Sequence, residues 1–531
     1  MRRTLQVITA ALSVSAATLL PHSPATAGTG AAGAGTTRSI NWSPCEDDPT
    51  AECGTLPVPI DWARPGGPTI DLALARRKAT DPAARIGSLV INPGGPGGSG
   101  VEAIIGEYQM TFSDEINRKF DIVGFDPRGI ARSHPVVCST DLLAQMPDPI
   151  MKSQADFTAR LAYNRRLRDD CRARTGPLFD HVDTLSVARD LDAIRAALGE
   201  RKLTYYGISY GTLIGQVYAE TFPRNFRALA LDSTMDHTLG TRAFLDTEAA
   251  TVQDSFNEFV AWCERTSTCA LHGKDIRAFW AGLLARAERG ELHFPGYPDV
   301  PLNQSSLIAL ATSGFYGPFW AELADLLVAI DTGAEPSARA EQGQLMKLLA
   351  PRPMQEEVTG YSPPVFCEDY LLPIRDFREY ATHLRRSARL APDMRISPLA
   401  ISFTAACLGR RAPIPNPQHR LHVRTNTPLL LGNALHDPAT AYPWAVHTAM
   451  QLGRSGVLLT YEGWGHGIYG RGDCTTGAFD RYLVSLALPA RGSRCPAVPP
   501  TEVTSLHRSP IHVPSGPIPG MPGIPGWTFG S

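Results

Sequence analysis

Leu203-Thr204-Tyr205-Tyr206-Gly207-Ile208-Ser209-Tyr210-Gly211 is the stretch on which the fold turns. Leu203 to Tyr206 reads as a short buried strand, Ser209 as a turn, and Gly211 to Glu220 as a helix that ends near Pro223. Upstream, Thr184 to Leu198 repeats Ala188, Leu191, Ile194 and Leu198 at helical spacing, with Gly199 as the stop. Downstream, Ala228 to Leu231 is a further strand. Ser88 to Asn92 and Phe120 to Phe125 are two earlier ones, each running into a Gly/Pro turn. Strands alternating with helices predict an α/β fold, a mostly parallel sheet covered by helices.

After Asp232 the rhythm changes. Thr247 to Thr266 and Lys274 to Arg289 are helix-like, and no clear strand alternation follows until Pro428 to Gly432 and Gly456 to Thr460. The reading is an α/β core of residues 41–239 and 416–495, with a mainly helical cap, 240–415, inserted between its halves. The Pro/Gly-rich tail, 496–531, lacks apolar periodicity and is expected to be poorly ordered.

Three separated motifs supply a chemistry. Ser209 lies within Gly207-Ile208-Ser209-Tyr210-Gly211, Asp437 follows an apolar strand, and His466 sits in Gly463-Trp464-Gly465-His466-Gly467. Ser, then acid, then His is the chain order of an α/β-hydrolase triad, so the roles are nucleophile, orienter and general base. Each motif also has a plain structural reading: a Gly-Ser turn, a loop-capping Asp, and one of 14 histidines. Their order and their flanking strands favour chemistry. His436 is read as a bystander. Acyl transfer also needs backbone N–H groups aimed at an oxyanion. Tyr210 offers one, and Gly95 in Pro93-Gly94-Gly95-Pro96-Gly97 the other. Asp126 and Arg128 are read as structural.

Arg2, Arg3, the mostly apolar run to Leu20 and Ala25-Thr26-Ala27 read as a secretory signal peptide, 1–27, followed by a flexible leader, 28–40. The ten cysteines fit export, and sequential nearest-neighbour pairing is expected because each pair then closes a local loop. No stable membrane anchor is expected. A net charge of -2 leaves no basic surface for nucleic acid. Neither C-x-x-C nor H-E-x-x-H occurs, so no metal or other cofactor is implied.

The chain resembles the secreted tripeptidyl aminopeptidases of the prolyl-aminopeptidase branch of α/β-hydrolases. Asn92 to Gly100, Gly124 to Gly129, Gly207 to Gly211, Phe366-Cys367-Glu368-Asp369 and Thr427 to Cys495 carry the likeness, which spans about 41–496. It implies a serine peptidase acting on peptides with free N-termini, with Ser209, Asp437 and His466 as triad and Gly95 and Tyr210 as oxyanion hole. An exopeptidase must also hold the substrate's α-ammonium, and Asp369 with Glu368 is the expected anchor. Asn92-Pro93, Ala441 and Trp464 depart from the family pattern and leave pocket specificity open. An esterase or lipase on the same triad, or a noncatalytic binding protein on a hydrolase scaffold, are the competing readings.

Overall fold

The structure, a computed structural model, describes residues 39–106, 110–349, 351–353, 358–500 and 527–529. The expected signal peptide, most of the leader, and residues 501–526 of the tail lie outside the described residues.

One ten-stranded sheet organises the molecule. Its strands, in chain order, are β1 (Ser43–Pro44), β2 (Glu52–Pro59), β3 (Thr69–Arg77), β4 (Gly87–Asn92), β5 (Phe120–Phe125), β6 (Leu203–Ile208), β7 (Phe226–Asp232), β8 (Leu429–His436), β9 (Gly456–Trp464) and β10 (Arg494–Cys495). The order across the sheet is β1-β2-β3-β5-β4-β6-β7-β8-β9-β10. Strands β1, β2 and β3 run antiparallel into β5, and the remaining pairs are parallel. Every residue of β4, β5 and β6 is buried, as expected where helices cover both faces of a parallel sheet. The β2–β3 hairpin was not legible. Pro57 and Pro59 interrupt β2 and mask its strand character.

Two core helices frame the central strands: α1 (Thr184–Ala197) and α2 (Tyr210–Thr221). Asp183 caps α1 by accepting the Ser186 amide at 2.9 Å. Ten of the twelve residues of α2 are buried, which fixes the helix whose N-terminus starts at Ser209. Between β7 and β8 the chain makes the helical insertion. It includes α3 (Thr241–Arg265), α4 (Gln304–Tyr316), α5 (Pro363–Asp369) and α6 (Pro398–Cys407), plus a short hairpin of His293–Phe294 with Tyr297–Pro301. The insertion is anchored to the first half of the core, since Val358–Gly360 pairs with Val137–Ser139. In the tail, Trp527–Phe529 pairs with Pro351–Pro353. After β9, helix α7 (Asp473–Ser485) packs back on the sheet.

Five disulfides join cysteines in sequential pairs: Cys45–Cys53, Cys138–Cys171, Cys263–Cys269, Cys367–Cys407 and Cys474–Cys495. Cys367–Cys407 staples α5 to α6 within the insertion. Cys474–Cys495 ties α7 to the sheet edge.

Candidate active site

Ser209 occupies the hairpin bend between β6 and α2 with φ 57° and ψ -124°. A non-glycine residue held there stores on the order of 1–3 kcal/mol of backbone strain. The surroundings over-determine it. The Ser209 amide donates to the Asp232 carbonyl at 2.9 Å, and α2 begins at the next residue. As the first helical residue, Tyr210 has an N–H with no intrahelical acceptor.

The loop after β4 lies directly on this bend. A methyl group on Gly94 would sit 3.0 Å from Ser209 Cβ and 3.1 Å from the Tyr210 nitrogen, so only glycine permits the approach. The Gly94 amide is occupied by Asn92 Oδ1 at 2.9 Å. Among the described residues the Gly95 N–H has no acceptor. Tyr210 carries an open amide at the Ser209 bend, and Gly95 carries one on the loop whose Gly94 touches that bend.

Asp437 and His466 meet at the C-terminal ends of β8 and β9. His466 Nδ1 donates to Asp437 Oδ1 at 2.9 Å and Oδ2 at 3.1 Å. That bond fixes the tautomer and leaves Nε2 as the acceptor face of the ring. Asp437 is wholly buried and also accepts from Ser233 Oγ (2.6 Å), Thr440 Oγ1 (2.9 Å) and the amides of Ala439 and Thr440 (2.9 Å each). Burial opposes its charge, but His466, Ser233 and Thr440 outweigh burial and hold the carboxyl below its ordinary range. Gly467, next to His466, lies so close to Ile208 that a methyl group there would overlap Ile208 Cδ1. The histidine turn is therefore seated on the strand end that carries Ser209.

Several residues that build this arrangement carry no motif. Ser233 Oγ donates to Asp437 and accepts the Gly467 amide at 2.7 Å, so one hydroxyl joins the acid and histidine loops. The Asp232 carboxylate accepts the amides of Ile468 and Tyr469 and the Tyr206 hydroxyl, while its carbonyl holds Ser209. The one available signal was position: polar residues at the carboxyl end of a buried strand, where open α/β sheets bind ligands. From the insertion, Tyr316 at the end of α4 accepts the His466 amide on its carbonyl at 3.0 Å and sets its ring edge-on to the imidazole at 5.1 Å. Buried Arg471 donates to the carbonyls of Tyr316, Gly317, Gly467 and His466, locking insertion to histidine loop.

The expected amine anchor is corrected. Asp369 is fully buried and its oxygens are occupied by Thr184 N (3.0 Å), Thr184 Oγ1 (2.7 Å), Asn416 Nδ2 (2.6 Å) and the Tyr210 hydroxyl. Burial, then nearby Asp183, pushes its pKa up to about 7 despite those donors. The side chain clamps the ring of Tyr210 to α1 and α5, with no oxygen left for a ligand. Glu368 turns to the other side of α5 and pairs with Arg410 at 2.5 Å in a separate cavity of about 50 Å³ lined by Leu167, Phe179 and Tyr361. Neither carboxylate faces Ser209 with a free oxygen.

Asp126 accepts from Ser99, Val101 and Arg132 and ties the β5 end to the glycine loop. Arg128 makes a buried bidentate pair with Asp190, 2.6 Å on each arm. Both are structural, as expected. Glu102 pairs with Arg132 at 2.5 Å at the surface. His436 Nδ1 bonds Asp254 at 2.7 Å and lies off the Asp437–His466 line. Among the described residues no cluster of His, Cys, Asp or Glu could hold a metal ion.

The sheet, the strained serine and the buried acid–histidine pair define a serine hydrolase of the α/β-hydrolase fold. Residues 87–328 match the alpha/beta hydrolase fold family, and residues 394–495 match the family described as TAP-like protein. The chain belongs to this TAP-like group of α/β-hydrolases. It is 34% identical over 491 residues to serine protease Hip1 of Mycobacterium tuberculosis, covering 86% of this chain and 91% of that protein. It is 30% identical over 481 residues to tripeptidyl aminopeptidase of Streptomyces lividans, with 86% of each covered. It is 31% identical over 467 residues to carboxylesterase B of Mycobacterium tuberculosis, covering 84% of this chain and 86% of that protein.

Proposed function

We propose that the protein is an exported serine exopeptidase that cleaves peptides near a free N-terminus and releases tripeptides. The observation that carries the mechanism is the buried Asp437–His466 pair seated against the strained Ser209 bend. His466 Nε2 takes the Ser209 proton as Oγ attacks the scissile carbonyl. The Gly95 and Tyr210 amides receive the oxyanion. His466 returns the proton to the leaving amine, and water then resolves the acyl-enzyme by the same route. Asp437 stays ionised and stabilises the imidazolium. No metal or other cofactor enters the scheme.

The peptide substrate follows from relatives named as a tripeptidyl aminopeptidase and a serine protease. Export is supported by the five disulfides and the signal-like N-terminal sequence. Among the described residues no helix is long and apolar enough to cross a membrane. An esterase reading draws on the carboxylesterase B relative.

A matched substrate pair tests the proposal: a free-amine tripeptide on a chromogenic amide, and its N-acetylated twin. Fast release from the free-amine form alone, lost in Ser209→Ala, is the expected result. Equal turnover of both overturns the exopeptidase reading. Turnover of simple esters with neither amide cleaved favours the esterase.

A further inference from the structure

The cavity on the far side of α5 lies outside the site described so far. It opens between the helix Gln154–Thr175 and two helices of the insertion, α5 and α6. Its floor is apolar: Leu167, Phe179, Tyr361 and Leu408, each buried. Two disulfides stand in its wall through Cys171, Cys367 and Cys407. Asn164 Nδ2 donates to the carbonyls of Ala405 (2.8 Å) and Leu408 (3.0 Å), tying the helix to the end of α6. These links hold the cavity in one shape, as sites for small molecules generally require. The rim residues Asn164, Arg168, Pro364 and Arg410 are half-buried, so the cavity reaches solvent.

Its polar groups are unbalanced. Arg410 Nη2 donates to Glu368 Oε2 at 2.5 Å, but Arg410 Nε is enclosed and has no partner. Enclosed donors are nearly always paired in folded proteins, so this one marks an acceptor that the chain itself does not supply. Arg168, on the rim, makes no hydrogen bond or ion pair with any described residue. Among the lining residues two guanidiniums, Arg168 and Arg410, meet one carboxylate, Glu368, a surplus of one positive charge. The two other acids that act on Glu368 are committed: Asp180 pairs with Arg172, and Asp183 accepts from the amide and hydroxyl of Ser186.

We propose that this cavity binds a carboxylate carried on a short apolar stem. The carboxylate accepts from Arg410 Nε and from Arg168, while Arg410 Nη2 keeps Glu368. Guanidinium groups suit this task, since their planar fork matches a carboxylate and their charge is permanent. The stem lies on Leu167, Phe179, Tyr361 and Leu408. A volume of about 50 Å³ holds roughly four waters, the room of a carboxylate with a stem of about three carbons. One negative charge cancels the surplus, whereas a dianion would leave uncompensated charge in an apolar chamber. The same head group occurs on a free short-chain acid and on the C-terminus of a peptide. The cavity is distinct from the triad: Glu368 faces it, while Asp369, the next residue, clamps Tyr210 on the opposite side. Its occupancy does not depend on which substrate the triad cleaves.

Isothermal titration of the full-length protein with butyrate and with butyramide tests the site. Butyrate is expected to bind saturably, with Kd on the order of 1 mM, and butyramide not to bind. Arg168→Gln should weaken butyrate at least about tenfold, the lower worth of a charged hydrogen bond. Because Arg168 has no protein partner, that variant should keep the wild-type Tm. Arg410→Lys keeps a cation beside Glu368 but removes the Nε donor, and a loss of similar size is expected. A tripeptide acid, titrated beside its C-terminal amide, separates the two sources. Tighter binding than butyrate, weakened by Arg168→Gln, assigns a peptide end; weaker binding assigns a free short acid; both support the site. Butyrate affinity unchanged in Arg168→Gln overturns it, as does equal affinity for butyramide or the absence of saturable binding. Inorganic phosphate held as tightly as butyrate, with the same dependence on Arg168, overturns the carboxylate assignment.

Discussion

Ser233→Ala is the most discriminating perturbation, because a single hydroxyl joins the two loops that carry the acid and the base. Ser233 Oγ donates to Asp437 Oδ2 at 2.6 Å and accepts the Gly467 amide at 2.7 Å, all of it buried. Alanine leaves the backbone comparison simple, since both residues carry a Cβ at the positive φ of 57° found there. Two losses follow. A hydrogen bond to a charged acceptor contributes about 1.5–3 kcal/mol, and an orphaned buried amide costs about 1–3 kcal/mol. Non-additivity within one network brings the expected destabilisation to about 3–4 kcal/mol. The lost donor also lets the His466 turn drift, and kcat should fall on the order of 10- to 100-fold, because misplacement of about 1 Å has that effect. Urea denaturation gives the first number and the chromogenic amide the second. The pH dependence has a definite sign. Asp437 is held below its unfolded value, so its network stabilises the fold above that value and weakens as pH falls through the lowered pKa. The Ser233→Ala deficit should therefore shrink in acid. A deficit below about 1 kcal/mol, with unchanged kcat, would refute the bridging role.

Three further outcomes are expected. Ser209→Gly should abolish turnover while raising stability by roughly 1 kcal/mol, since glycine accepts the strained φ without cost; calorimetry and the amide assay check both. Asp437→Asn should lower kcat by roughly 10³- to 10⁴-fold, with KM little changed, through loss of the tautomer and of imidazolium stabilisation. Asp369, pushed up to about 7, takes up a proton on folding between its unfolded pKa and neutrality, so it lowers stability as pH rises through that window. Denaturation of Asp369→Asn from about pH 4 to 8 should show a flatter slope than wild type, while N-terminal amine preference is retained. Loss of that preference would restore Asp369 as the anchor.

The central strands and the Ser209 turn were legible because their signals are local. Continuous apolar runs ending in glycine, and helical spacing stopped by glycine or proline, follow from short-range sterics and burial. The sequential disulfides were legible for the same reason, each closing a neighbouring loop. The antiparallel hairpin was not, because its prolines hide it and its neighbours are set by sheet order. Glu368 and Asp369 show the limit inside the site. Adjacent residues on one short helix point to opposite sides, one to Arg410 and one to Tyr210, and the string Cys367-Glu368-Asp369 holds no record of that.

By itself, the sequence determined the alternation that builds a parallel sheet and the three polar residues stationed at strand ends, since these depend on period and turn chemistry within a few residues. Tertiary structure alone decided that the carboxyls of Asp369 and Glu368 are used up in buried contacts. It also made Asp232 and Ser233 the braces between loops more than 200 residues apart. Hydrogen-bond partners of a buried group are chosen by the packing of distant segments, and no local pattern carries that information.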